Sequence, residues 1–149
     1  MEIHRDFSDL LACLADAKVE FVLVGAYALA LHGVPRATGD LDVYVQPTPE
    51  NAESVLRALE AFGFGGLDLS VVDFSTEDRV VQLGYPPVRV DLLTSISGVS
   101  WSEAVESAET FRFGPIEVRY LGRDTLIKNK RATGRTKDLA DIEALGEVD

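Results

Sequence analysis

The N-terminal part of the chain shows helical spacing and then a continuous apolar run. Ser8 is suited to cap a helix over residues 9 to about 18, whose leucines recur on one face. Residues 19–24 then form an apolar run that only Glu20 interrupts. Such a run is typical of a central strand covered on both faces, and we predict the first strand here.

The next stretch predicts a turn, a short helix, a loop and a second strand. Gly25 ends the apolar run, and the helix-like residues 26–32 are closed by Gly33. A loop leads into residues 40–45, where acidic or polar side chains alternate with apolar ones as in a strand. Two aspartates therefore stand side by side on one face at the start of the second predicted strand.

Turn residues and apolar periodicity define the remaining elements. These are a helix over 49–62 capped by Thr48, a strand within 64–72, strands over 79–83 and 88–93, a helix over 101–108 capped by Ser100, strands over 111–113 and 116–120, a helix over 124–132 and a last helix from Thr136 through 145. The alternation predicts an α/β (α+β) fold with a mixed β-sheet and flanking helices. We expect a single domain over residues 1–149, with a core at about 19–121 and a C-terminal helical segment at about 124–146.

The composition is that of a folded protein. The chain has 149 residues, 46% of them apolar, which suffices for one domain with a core. Its apolar runs are shorter than the about 18–20 residues of a transmembrane helix, and its first ten residues lack the order of a signal peptide. The single cysteine, Cys13, cannot form an internal disulfide. We therefore expect a cytoplasmic protein that does not bind membranes.

The net charge of −11 is distributed unevenly. Residues 123–137 carry +5, which leaves −16 on the rest of the chain. A strongly acidic surface repels long nucleic acids unless a local basic patch attracts them. The charge therefore argues against binding of long duplex DNA, and it permits a free nucleotide or a partner met through the basic segment.

The two neighbouring acids suggest a metal site. Side chains alternate across a strand, so Asp40 and Asp42 share one face, with their Cα atoms roughly 7 Å apart. Carboxylates on one face can converge on a divalent cation, and hard oxygen ligands favour Mg²⁺ or Mn²⁺. The turn at Gly25 can present backbone N–H groups to a phosphate. Together these features suggest a nucleotide–metal site.

This order of motifs resembles the DNA polymerase beta-like nucleotidyltransferase superfamily. The motifs are Val24-Gly25-Ala26, Asp40-Leu41-Asp42 and, on a later strand, Val90-Asp91-Leu92. The chain looks most similar to the minimal nucleotidyltransferases and their abortive-infection toxin relatives, which often continue into a C-terminal helical segment. The resemblance implies a nucleotidyltransferase fold from about residue 21 to 145.

The resemblance assigns catalytic and metal-binding roles to three aspartates. Asp40, Asp42 and Asp91 would hold Mg²⁺ (or Mn²⁺), and Asp91 would also help to deprotonate the attacking hydroxyl. Each has an ordinary structural interpretation as well. The aspartates at 40 and 42 could form a solvated strand face, and Asp91 could pair with Arg89 or Arg79.

The residues expected to bind the nucleotide belong to two segments. The candidates are Gly25, Ala26, Arg36 and Thr38 around the turn and loop, and Lys130, Arg135 and Lys137 in the C-terminal segment. In the second segment, Asp138 or Asp141 could orient the cations, or the whole cluster could be a connector between two helices. Ala26 departs from the usual Gly or Ser, which weakens phosphate binding if the turn needs a positive φ and is harmless if the backbone there is helical.

Two functions follow. The first is a metal-dependent nucleotidyltransferase that transfers a nucleoside monophosphate from a nucleoside triphosphate to an unknown hydroxyl of a protein, an RNA end or a small molecule. The second is a catalytically weak or inactive relative in a toxin–antitoxin or regulatory complex with a cognate partner protein.

Overall fold

A mixed six-stranded sheet organises the parts of the chain that the computed structural model describes, residues 4–34, 39–85 and 88–146. The strands are β1 (Phe21–Val24), β2 (Asp40–Val45), β3 (Val80–Tyr85), β4 (Val88–Leu93), β5 (Glu109–Phe113) and β6 (Ile116–Tyr120). They lie in the order β3-β4-β2-β1-β6-β5. The β2–β4 and β1–β6 pairs are parallel, whereas β1–β2, β3–β4 and β5–β6 are antiparallel. The predicted fold class is confirmed.

Helices cover this sheet and close the core. They are α1 (Arg5–Asp16), α2 (Gly25–Leu31), α3 (Pro49–Phe62), α4 (Val71–Ser75), α5 (Trp101–Ser107), α6 (Arg123–Thr133) and α7 (Thr136–Ala144). Helix α1 packs against α3, α3 against α4, and α6 against α7. The first strand is buried along its whole length, as its apolar run predicts. No helix among the described residues is long and apolar enough to cross a membrane.

The two faces of β2 differ, and this difference positions the site. Leu41, Val43 and Val45 are fully buried in the core. On the opposite face, Tyr44 packs edge-on against Trp101 of α5, with ring centroids 5.1 Å apart. Farther along that face, Asp42 is only partly buried. The sheet therefore has one apolar face and one face that leaves the start of β2 accessible.

Several predicted boundaries are confirmed. Strand β2 begins and ends where the alternation places it, and α3 begins after Thr48, whose Oγ1 accepts a hydrogen bond from the Asn51 N–H at 3.2 Å. Gly63 ends α3 in the left-handed conformation, with φ of 112°. These elements could be predicted because their start and stop signals are local.

One predicted strand does not form, and one helix begins earlier than predicted. The strand expected within 64–72 does not form, and the segment instead leads into α4, where the Asp73 carboxylate accepts the Ser70 N–H at 2.8 Å. This capping box stabilises a helical turn that the apolar residues alone do not indicate. Helix α1 begins before Ser8, because His4 Nδ1 accepts the Asp6 N–H at 3.1 Å and caps the helix earlier.

Candidate active site

Neighbouring strands bring the three candidate aspartates to one face of the sheet. Asp42 of β2 lies opposite Asp91 of β4, and Asp40 lies opposite Arg89. Residues paired across neighbouring strands point to the same face. The strand register therefore assembles an acidic cluster that also contains one guanidinium group.

Arg89 holds Asp91 with two hydrogen bonds. Its Nε donates to Asp91 Oδ1 at 3.0 Å and its Nη2 donates to Oδ2 at 2.9 Å. Arg89 Nε also lies 3.9 Å from Asp40 Oδ1. The hydrogen bonds that Arg89 donates to Asp91, followed by the negative charges of Asp91 and of the other acids, raise the pKa of Arg89. The ion pair considered as the structural role of Asp91 is thus present, with Arg89 as the partner.

Asp42 is the carboxylate in the least favourable electrostatic position of the three. Burial, followed by repulsion from Asp91 and Asp40, raises the pKa of Asp42 from 3.8 to about 6. The positive charges of Arg89 and Lys137 offset part of this increase. Because the charged form remains disfavoured, an additional cation next to Asp42 would stabilise it.

The Gly25 turn contacts Asp42 directly. Gly25 has φ of +67°, and a Cβ atom at this position would overlap Asp42 Oδ2. Only glycine therefore allows both the turn and the close approach of the carboxylate. Ala26 lies inside α2 and is absent from the residues with positive φ, so the alternative in which alanine is harmless to the turn holds.

A cleft of about 360 Å³ connects this turn with the C-terminal helices. Its lining includes Gly25 and Asp42 and, from the C-terminal segment, Lys130, Arg135 and Asp138. The remaining lining residues are Val24, Asp78, Leu93, Ser95, Ile96, Ser97, Asn129 and Thr133. The long-range fold thus places a carboxylate, a glycine turn and two cations around one open space.

Asp138 organises the cationic side of the cleft. Arg135 Nε donates to Asp138 Oδ2 at 2.7 Å, and the Thr133 hydroxyl donates to the same oxygen at 2.6 Å. Although burial by itself raises the pKa of Asp138, these hydrogen bonds and the nearby charges of Arg135 and Lys130 lower it to about 2. The carboxylate is therefore charged at neutral pH and holds Arg135, whose side chain is 66% exposed.

Lys130 differs from Arg135 in its surroundings. Its side chain is 8% exposed, and its Nζ lies 2.9 Å from Asp141 Oδ2 and 3.5 Å from Asp138 Oδ1. Both aspartates are buried. Lys130 thus forms a buried ion-pair network that fixes α6 against α7, and its ammonium has less freedom to approach a ligand than the Arg135 guanidinium has.

Comparison with known proteins identifies the family of this chain. A family described as nucleotidyl transferases of unknown function (DUF2204) matches residues 3–149. The chain belongs to this family. A crystal structure from Thermotoga maritima, described as a candidate nucleotidyltransferase (TM1012), matches with a TM-score of 0.61. The two proteins share 18% identity over 96% of this chain and 94% of that one, and this likeness shows a common fold. A search of curated proteins found no match.

Membership of the nucleotidyl transferase family confirms the resemblance found in the sequence. The structure brings Gly25, Asp42, Lys130 and Arg135 to one cleft. Lys137 is exposed and close enough for its charge to affect Asp42. The nucleotide-binding and catalytic roles of these residues stay predictions, as do those of Ala26, Asp40 and Asp91. Arg36 and Thr38 lie outside the described residues.

A divalent cation fits part of this acidic cluster. Asp40 and Asp42 offer hard oxygen donors on one face, and repulsion among the acids favours a cation there. Both carboxylate oxygens of Asp91 accept hydrogen bonds from Arg89. Over residues 4–34, 39–85 and 88–146, no three acidic, His or Cys side chains are arranged to hold a metal ion. The three-aspartate metal site therefore stays a prediction, with Asp40 and Asp42 as its accessible part.

Sequence reasoning missed a polar wall of the cleft, formed by Ser95, Ser97 and Asn129. There the Ser95 hydroxyl donates to Asp78 Oδ1 at 2.8 Å, and Asn129 Nδ2 donates to the Ser97 carbonyl at 2.9 Å. One signal could have indicated part of it. Ser95 and Ser97 follow the carboxyl end of β4, and ligands of α/β proteins commonly bind beyond the carboxyl ends of strands.

Proposed function

We propose that this protein transfers a nucleoside monophosphate from a nucleoside triphosphate to a hydroxyl acceptor, with Mg²⁺ or Mn²⁺ as the cofactor. One observation carries the proposal. In a chain of a nucleotidyl transferase family, Asp42 and the exposed Arg135 line the same cleft beside the Gly25 turn. A carboxylate for a cation and a guanidinium for phosphate oxygens are the two groups that binding of a metal–triphosphate requires.

Arg135 and Lys137 are suited to bind the triphosphate. Both are exposed, and Asp138 keeps the Arg135 guanidinium oriented at the cleft. Lys130 contributes mainly by fixing Asp138 and Asp141, since it is paired with both. The Gly25 turn lies next to Asp42 and leaves space for a phosphate near the start of α2. The polar wall at Ser95, Ser97 and Asn129 remains available for the sugar or base.

Asp40 and Asp42 would hold the divalent cation. When bound, Mg²⁺ or Mn²⁺ supplies charge neutralisation at the transferred phosphoryl group and helps to align it. The partial burial of Asp42 keeps water from screening that interaction. Asp42 Oδ2 is held close to the backbone of Gly25, so the carboxylate is positioned before the ligand arrives.

The proposed reaction is a displacement at the α-phosphorus. The acceptor oxygen forms a bond to the α-phosphorus while the bond to the oxygen bridging the α- and β-phosphates breaks, and pyrophosphate leaves. The hydroxyl proton passes to a carboxylate oxygen of Asp91, which lies opposite Asp42 in the sheet. Both oxygens of Asp91 accept hydrogen bonds from Arg89 in the structure, so this proton transfer requires Arg89 to release one of them.

Calorimetry with a non-hydrolysable nucleoside triphosphate tests the assignment. We expect the wild-type protein to bind it in the presence of Mg²⁺, and Asp42→Asn to lose most of that binding and all detectable transfer. Asp9→Asn is the matched control, because Asp9 is an exposed acid of α1 outside the cleft lining. Unchanged binding and transfer in Asp42→Asn would rule out the assignment.

The surface charge and a direct assay both limit the classes of acceptor that the protein could use. The acidic remainder of the surface disfavours a long RNA, whereas a protein hydroxyl, a short RNA end or a small molecule meets less repulsion. Transfer of radiolabelled nucleotide from the four triphosphates to each acceptor class, with Asp42→Asn as the blank, identifies both base and acceptor. Label in only one class would fix the acceptor.

A weakly active component of a toxin–antitoxin or regulatory complex is the second candidate. The bidentate pairing of Arg89 with Asp91 favours it, because both oxygens of that carboxylate are already engaged by a guanidinium. A stable stoichiometric complex with the product of a neighbouring gene, together with no measurable transfer, would support this function. Robust transfer by the isolated protein would exclude it.

A further inference from the structure

The guanidinium of Arg89 lies within the acidic cluster. It contacts Asp91 through two hydrogen bonds and approaches Asp40, which is its neighbour across the β2–β4 pair. Its backbone is fixed as well, because the Arg89 N–H donates to the Gly39 carbonyl at 2.9 Å. The cation of this cluster is therefore built into the strand.

We propose that Arg89 is an intramolecular counter-ion that competes with the divalent cation and must release Asp91 before that carboxylate can take part in metal binding or proton transfer. The inference rests on the proposed function. A bidentate guanidinium engages both oxygens of Asp91, and its positive charge repels a divalent cation from them. Its charge near Asp40 also lowers the attraction of the cluster for a second cation.

Arg89 has space into which it can withdraw. Its side chain is 30% exposed, and it borders a second cleft of about 520 Å³ together with Gln82, Leu83 and Tyr85. Arginine has a long stem with several rotatable bonds, so its head group can move while the strand stays in place. Loading of cation and nucleotide would then free Asp91, and the base would become available only in the loaded protein.

Binding of Mn²⁺ measured by electron paramagnetic resonance tests this competition without an activity assay. Arg89→Gln removes the charge, and we expect its dissociation constant for Mn²⁺ to fall by about tenfold or more, because the cation then no longer competes with a charge-assisted guanidinium pair. Arg79→Gln is the matched control, since Arg79 precedes β3 and pairs with Asp73. That control should bind Mn²⁺ as the wild type does.

The same experiment separates failure of the inference from failure of the proposed function. If Asp42→Asn abolishes Mn²⁺ binding but Arg89→Gln binds it no more tightly than the wild type, the metal site stands and the competition is refuted. If neither the wild type nor Arg89→Gln binds Mn²⁺ in an Asp42-dependent way, both ideas fail. Tighter binding by Arg89→Gln that Asp42→Asn removes supports both.

Nuclear magnetic resonance of the wild type gives a second readout that does not depend on how Arg89→Gln folds. The hydrogen bond to Asp91 should protect the Nε–H of Arg89 from solvent exchange, so its signal is visible without metal. We expect addition of Mg²⁺ and a non-hydrolysable triphosphate to shift or broaden this signal, and to leave the Arg79 signal unchanged. A fully unchanged Arg89 signal at saturating ligand would refute the release of Asp91.

Discussion

At the scale of single residues, the site keeps a carboxylate in an unfavourable place. Asp42 is partly buried beside two other acids, and its pKa is raised from 3.8 to about 6. A residue placed only for stability would avoid such surroundings. Binding sites in natural proteins often lower the stability of the unliganded fold, so replacing Asp42 should raise the free energy of unfolding.

Asp42→Asn should therefore stabilise the protein when no ligand is bound. Because the folded-state pKa lies above the unfolded one, stability falls as pH rises from about 4 to about 6, and the full cost persists at neutral pH. Thermal unfolding in a metal chelator at neutral pH should show a gain on the order of 2 kcal/mol. A lower melting temperature for Asp42→Asn would contradict the electrostatic account.

Asp138 should show the opposite behaviour. Its pKa is lowered to about 2 by the groups around it, so its contribution to stability is present above pH 4 and is lost as pH falls toward 2. Asp138→Asn leaves Lys130 and Arg135 with less compensation and should cost about 2–4 kcal/mol near neutral pH. In urea titrations, the difference between wild type and variant should shrink below about pH 4. A constant difference across this range would contradict the prediction.

At the scale of elements, the turn between β1 and α2 is the most constrained connection. It combines a positive φ at Gly25 with direct contact to Asp42, whereas the next residue, Ala26, is already helical. The strand and the helix that meet there are both short, so the turn determines how α2 is directed relative to the acidic cluster. Changes at the two neighbouring positions should therefore have unequal effects.

Gly25→Ala should destabilise the protein by about 2 kcal/mol or more, because it adds backbone strain and forces Asp42 to move. Ala26→Gly is the control and should cost less than about 1 kcal/mol, the usual difference between these residues in a helix. Urea denaturation measures both values. Equal losses would show that the turn does not require glycine.

At the scale of the whole molecule, the basic segment is less available than its charge suggests. Lys128 pairs with Glu103, Lys130 with two buried aspartates, and Arg135 with Asp138. These pairs neutralise much of the +5 of residues 123–137. We therefore expect a local site for a small anion rather than a continuous track for a polyanion.

We expect the protein not to bind long duplex DNA at physiological salt. The −16 carried outside the basic segment repels the phosphate backbone, and the paired cations release few counterions. Fluorescence anisotropy with a labelled duplex, compared with a labelled nucleoside triphosphate in Mg²⁺, measures this preference. Salt-sensitive binding of the duplex at submicromolar concentration would contradict it.

The sequence by itself determined the local parts of the site. Alternation fixed the bounds of β2 and put Asp40 and Asp42 on one face, and the caps at Thr48 and Gly63 fixed α3. It could not give α4 its place, because the short apolar stretch before it fits a strand as well as a loop. The bounds of β2 and the caps of α3 depend on residues a few positions apart, so a single sequence is enough to predict them.

Only the tertiary structure decided which distant residues meet. In the folded chain Asp91 lies opposite Asp42, and its partner is Arg89 and not Arg79. Residues of α6 and α7 line the same cleft as the Gly25 turn. Strand order and register are set by packing of the whole core and not by any local signal. The ion pairs of the basic segment could not be predicted either, because some of the acids that neutralise it lie on other elements, as Glu103 does for Lys128.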